Sequence, residues 1–471
     1  MIKNKIYFIN IFLLIILSFL FFVIPPGANE TLIWLCLIIF YVQFFNSIRK
    51  SISIAHGIKT FIKIDTFFFL FFYIIYYYSY QLYVLGLKSL DHEKLSPYLE
   101  YTNKSIIMTT IGLLAFQLGF HYYKSHNGVK VFHEISKKYM RVLSLITMFF
   151  IALILLLFAK TGMTTLFAGA YVGSAMGTVT YDAIFTLVTF FIILGILQAI
   201  TYYSIFKKIN IQVFIISIIS ISWAVALLFV GDRNTFFLVG LVMFTGFFTY
   251  IKSISRKQIL IFLFGALFLY QVIEISRTVE SKDLTSFVDA FFTTIDEQDS
   301  EFDKDSSFDI TTTGVRATFK VMEEKNYYYG KFKLVSLASI IPYSSRLFVD
   351  PNDSYTGSSN VLKAEMIGLN KGWGVGTNII SDCFMDYGLM GVIVIMFCFG
   401  KFGGYVKLKT QKHINSPKWI FLYIITLTYY SEISRYGFDF PLRSIVWTYL
   451  LFFIINKVMG LNRKNSYYHL E

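Results

Sequence analysis

Apolar runs close to 20 residues long recur along the whole chain. An α-helix needs that length to cross ~30 Å of hydrocarbon. A bilayer offers no water to solvate the backbone, so a spanning segment must satisfy its own N–H and C=O groups, which continuous apolar runs do as helices. About twelve such runs can be marked on this basis, at 6–24, 31–47, 64–85, 106–123, 142–159, 183–204, 211–230, 235–251, 259–276, 387–406, 419–432 and 444–456. The expected fold class is therefore an all-α polytopic membrane protein. Charged residues make up 15% of the chain, against ~25% in a soluble domain. Lys3 and Lys5 precede the first run in the manner of a signal peptide. That run is too long for a cleaved apolar region, so it is expected to remain as the first helix.

The formal charge of +13 does not point to nucleic acid, because the basic residues lie between the apolar runs. Their distribution predicts topology instead. Pairs such as Arg49 and Lys50, Lys137 and Lys138, Lys207 and Lys208, and Arg256 and Lys257 fall in segments assigned to the cytoplasm, with both termini on that side. Residues 277–386 form the one long polar stretch, which is too polar for a bilayer and is expected outside. The predicted organisation is an N-terminal bundle over 1–276, a large extracytoplasmic loop over 277–386, and C-terminal helices with a tail over 387–471. Tyr76, Tyr77, Tyr78 and Tyr80 cluster within the third run, where an interfacial belt or helix packing is expected.

Within the loop, 283–295, 313–325 and 331–341 carry helix-compatible patterns, the last ended by Pro342. The acidic stretch 299–309 reads as a solvated turn. It lacks the glycine and terminal glutamate of an EF-hand. The glycine-rich stretch 371–376 follows no strand and has no Gly-Lys-Ser/Thr ending, so it is not a nucleotide loop. Cys36, Cys383 and Cys398 form no CxxC or disulfide framework. No cofactor and no metal site is expected.

Arginines at the outer ends of the runs are the candidates for chemistry. Arg233 lies in the tight Gly-Asp-Arg-Asn turn at 231–234, and Arg277 lies one helical turn after Glu274. Arg346 lies within the loop, and Arg435 and Arg443 flank the last outer turn. A guanidinium stays charged and presents a planar fork suited to phosphate oxygens. Boundary arginines also snorkel to headgroups without any such role. Carboxylates near the same boundary are Asp232, Glu274, Asp382, Asp386 and Glu432, and partial burial would raise such groups towards acid–base use. Only His92 among the histidines falls outside, so a histidine base is not favoured.

Three patches carry a resemblance to a known family. They are the turn at 229–237, the loop stretches 329–333 and 341–348, and the segment 376–391 that leads into the tenth run. Together with the order of spans and the late large loop, they resemble the O-antigen and capsule repeat-unit polymerases of the Wzy type, with a GT-C-like polymerase and ligase architecture. The resemblance implies a bacterial inner-membrane glycosyltransferase that joins undecaprenyl-pyrophosphate-linked oligosaccharides. It also implies metal-independent transfer, and a separate chain-length regulator as partner. On that reading Arg233, Arg277, Arg346 and Arg435 hold the pyrophosphate, and Asp386 and Glu274 are the catalytic carboxylates. A flippase would place charge deep in the bundle. A ligase would be expected to offer a histidine in its outer loop, and 277–386 contains none.

Overall fold

A computed structural model gives the architecture. It describes residues 2–49, 51–55, 58–91, 95–123, 179–209, 211–230, 233–255, 307–341, 357–370, 374–414 and 416–458, with short pieces at 130–131, 468–469 and parts of 144–156 and 257–265. The helices are α1 (Ile2–Val23), α2 (Glu30–Ile48), α3 (Ile64–Tyr76), α4 (Tyr78–Val84), α5 (Thr102–Phe120), α6 (Val179–Phe206), α7 (Ile211–Val230) and α8 (Arg233–Tyr250). After the loop's first part come α9 (Ser307–Glu324), α10 (Lys331–Ala338), α11 (Ser358–Met366), α12 (Ile379–Lys412), α13 (Pro417–Glu432) and α14 (Asp439–Val458). A small hairpin, β1 (Ile52–Ala55) with β2 (Ile58–Thr60), links α2 to α3.

Helix α5 stands at the centre of the bundle, buried from Ile106 to Phe120 on every face. Its polar residues are tolerated there because they bond back to the preceding turn. The Thr109 and Thr110 hydroxyls donate to the carbonyls of Ser105 and Ile106 at 2.9 and 2.8 Å. Its main partner is α12. A Cβ on Gly119 would lie 2.0 Å from the carbonyl oxygen of Phe397, and one on Gly400 would lie 1.9 Å from that of Phe116. Only glycine lets the two backbones meet this closely, the small-residue packing that lipid-embedded helices use. Around this pair, α1 and α2 pack on α5, α13 packs on α3, and α6, α7 and α8 pack together.

Among the described residues, four helices are long and apolar enough to cross a membrane, and a fifth span results if α3 and α4 are taken as one. The third run was expected as a single helix, but it bends by 55° at Tyr77. Tyr76, Tyr77 and Tyr80 are buried in the core at this bend rather than arrayed as a belt. Shorter apolar helices lie at 211–227, 235–250 and 445–454. The runs at 142–159 and 259–276 fall mostly outside the described residues.

The tenth run begins eight residues earlier than expected, at Ile379, and its helix breaks at Tyr387 and Gly388. Gly388 has φ +61° and ψ −154°, a combination only glycine adopts without strain. Asp382 and Asp386 thus sit on a short helical stub before the break, not at the close of a loop. Of the helices expected in the loop, 313–325 is found as part of α9 and 331–341 as α10, whereas 283–295 lies outside the described residues. The acidic stretch 299–309 was expected to be solvated. Its last residue, Asp309, is instead buried in the first turn of α9, where it accepts from Ser79 Oγ at 2.6 Å and Lys88 Nζ at 2.7 Å. An ammonium within reach offsets the cost of taking the carboxylate out of water.

Candidate active site at the seam between loop and bundle

The loop helices meet the bundle around the stub that begins α12. Asn378 is its N-cap, accepting from the Ser381 N–H at 2.9 Å through the side chain, as N-cap residues do. Asp382 follows in the first turn, where the helix dipole favours a carboxylate. One oxygen of Asp382 accepts from Ser358 Oγ of α11 at 2.7 Å. The other accepts from Lys333 Nζ of α10 at 2.5 Å and from the Phe438 N–H at 3.1 Å. A single buried carboxylate therefore ties together three segments remote in sequence.

Asp386 lies one turn further along the same face. It accepts from the backbone N–H groups of Phe332 and Lys333 at 3.2 and 3.1 Å. These are the orphan donors in the first turn of α10, whose own N-cap is Gly330 with no side-chain bond. Lys333 Nζ lies 3.2 Å from the second oxygen of Asp386. It also donates to the Asp382 carbonyl at 3.0 Å. Lys333 is 8% exposed. Burial alone would lower its pKa, but the carboxylates of Asp382 and Asp386 outweigh it and hold the ammonium above the ordinary lysine value. Burial pushes the Asp386 carboxyl above the ordinary carboxylate value, with Lys333 and the Phe332 N–H acting in the opposite sense.

The seam extends in two directions. Tyr76 at the bend between α3 and α4 donates to the Ser434 carbonyl at 2.7 Å. Ser434 belongs to the 3-10 turn Ile433–Arg435, which precedes the Phe438 N–H that holds Asp382. Arg435 is half-buried in that turn. On the other side, Thr318 of α9 donates to Ser381 Oγ at 2.8 Å, and Trp447 Nε1 of α14 donates to the Ile340 carbonyl at 2.8 Å.

Arg316 of α9 is a second buried cation. It is 1% exposed and donates through Nη2 to the Leu90 carbonyl and to Thr313 Oγ1, at 3.2 and 2.9 Å. Among the described residues, its Nε and Nη1 have no hydrogen-bond partner. Burial pulls its pKa below the ordinary arginine value, with Tyr80 and Asp309 acting in the opposite sense.

Of the residues expected to form the site, Asp386 and Arg435 are at the seam. The side chain of Asp386 is fully buried, with its oxygens directed at α10 and Lys333 rather than at a cavity. Arg233 opens α8, and its side chain lies outside the described residues. Glu274, Arg277 and Arg346 also lie outside the described residues. Lys333 and Arg316 were not among the expected site residues. Lys333 was legible as the charged member of the face shared with Phe332 and Ser336, and Arg316 as a lone charge within Thr-Gly-Val-Arg-Ala-Thr at 313–318.

Long apolar helices around a glycine-mediated pair define an all-α membrane protein. The chain matches the family model for O-antigen polysaccharide polymerase Wzy over residues 5–465, and it belongs to that family. No curated protein and no solved structure matches it.

Proposed function

We propose that this member of the O-antigen polymerase family joins undecaprenyl-pyrophosphate-linked oligosaccharide repeat units at the periplasmic face of the bacterial inner membrane, with both termini cytoplasmic. An acceptor hydroxyl of one repeat unit attacks the anomeric carbon of the growing chain. The bond from that carbon to the pyrophosphate oxygen breaks, its electron pair leaves with undecaprenyl pyrophosphate, and the hydroxyl proton passes to a carboxylate.

The leaving group gains negative charge in the transition state, and fixed cations in a partly dry site stabilise it without reorganising. Arg233, Arg277, Arg346 and Arg435 are assigned to this role, in a metal-independent transfer. The observation that carries the placement is the hydrogen bond from the Phe438 N–H to Asp382. It draws the turn bearing Arg435 onto the start of α12, where the loop ends. Asp386, nominated as a catalytic carboxylate, already accepts from two N–H groups and an ammonium. Its assigned role is to position α10, and the proton acceptor is assigned to Glu274. A separate chain-length regulator belongs to the proposal as a partner.

Deleting the gene and resolving the surface polysaccharide on a gel tests the reading. A polymerase deletion leaves lipid A–core capped with one repeat unit. Loss of all capped core would instead identify a flippase or ligase. At residue level, Arg233→Ala and Arg277→Ala are expected to abolish long chains at unchanged protein level, and unaltered chain length in both would refute their role.

A further inference from the structure

Helix α10 has two faces. Phe332, Lys333 and Ser336 are buried, and the first two bond to Asp386 and Asp382 of the α12 stub. Leu334 and Leu337 point away and are 49% and 51% exposed, and Ile341, just past the helix, is 66% exposed. Spacings of three and four residues put these three on one apolar stripe. Water would disfavour that stripe on a free loop helix.

The stripe does not stand alone. Tyr329 is exposed beside the start of α10, and Tyr387 is exposed at the break in α12. The two segments touch: a Cβ on Gly330 would lie 1.8 Å from the Tyr387 hydroxyl. Below the break, Met390 (65% exposed) and Val394 lie one turn apart on the outer face of an apolar spanning helix. That face meets lipid if α12 crosses the membrane. The apolar surface thus runs from the span of α12, past two tyrosines, onto α10. Tyrosines at such a junction are the usual mark of the level where hydrocarbon gives way to headgroups.

We infer that α10 is an interfacial helix, lying in the membrane surface with Leu334, Leu337 and Ile341 among lipid acyl chains. An amphipathic helix with this layout rests ~5–10 Å into the headgroup boundary. Its buried face is the one that holds Lys333 against Asp382 and Asp386. The seam therefore lies at headgroup depth, the depth of a phosphate on any lipid-anchored substrate. The inference depends on the membrane character of the chain and not on the transfer chemistry.

Single cysteines carrying an environment-sensitive fluorophore test it on the full-length protein in phosphatidylethanolamine–phosphatidylglycerol vesicles. Cys398, the exposed native cysteine, is first replaced by serine; Cys36 and Cys383 are buried. Labels go at Leu337→Cys and Ile341→Cys, with Met390→Cys as the lipid reference and Asn326→Cys as the water reference. The expected result is quenching by a spin-labelled acyl chain at 337 and 341 within about twofold of that at 390, with iodide quenching several-fold weaker than at 326. Iodide quenching equal to that at 326 would overturn the inference. Quenching by neither agent, or a disulfide between two copies at Leu337→Cys, would place protein on the stripe and overturn it equally. An unfolding midpoint in detergent within a degree or two of wild type, measured for each labelled variant, verifies that the variants fold.

Discussion

Lys333 and Arg316, two cations buried in the loop helices, are held in opposite ways. Lys333 has two carboxylates within 3.2 Å and every face of its ammonium engaged. Arg316 spends one of its three nitrogens on two neutral acceptors, and the other two have no partner among the described residues. Their pKa values move accordingly, above the ordinary value for Lys333 and below it for Arg316. The contrast separates a charge used to fasten segments together from one tolerated inside a helix contact. Removing one member of a buried pair strands the others, whereas removing an incompletely paired charge also removes its desolvation cost.

The largest effect is expected at Asp382. Asp382→Ala frees a buried ammonium and two further donors from three segments at once. It should cost about 3–5 kcal/mol, read as a lower unfolding midpoint in detergent, and a midpoint within a degree or two of wild type would break the comparison.

Lys333→Met comes next, because it leaves two buried carboxylates facing each other. A comparable loss of about 3 kcal/mol is expected. The pH dependence follows from the raised folded-state pKa of Lys333. A pKa raised on folding gives stability that is fully present below the unfolded value of ~10.4 and is lost as pH rises through the folded value. The gap between wild type and Lys333→Met should narrow above ~10.4 as the ammonium deprotonates, and also on the acid side as the stranded carboxylates, Asp386 among them with its carboxyl already raised by burial, take up a proton. A gap unchanged on both limbs would show that the ion pair does not carry it.

Arg316→Met is expected to have the smallest effect. It loses the bonds to Leu90 and Thr313 but relieves two unpartnered donors, so stability should remain within about 1 kcal/mol of wild type. A loss as large as that at Lys333 would erase the distinction between the two cations.

Helical elements were legible in the sequence wherever the apolar pattern was long or amphipathic. The positions of α2, α7, α8 and α10 follow from it. The break at Tyr77 was not legible, because Phe and Tyr run through it without a proline or glycine to mark it. Asp309 read as solvated because its neighbours are acidic, and its partners Ser79 and Lys88 lie more than 200 residues away. The Lys333–Asp382 pair is hidden for the same reason, since 49 residues separate its members. Asp386 was expected as a catalytic carboxylate, and the pattern could not show that its oxygens face the first turn of α10.

Arg435 sits at the seam proposed to do the polymerising work, and the length of the surface polysaccharide made by Arg435→Ala, expressed in the deletion strain at wild-type protein level, reads that role out. A collapse to one or a few repeat units is expected, with Lys at the same position restoring little because a point charge does not replace a planar fork. Full-length chains from Arg435→Ala would contradict it.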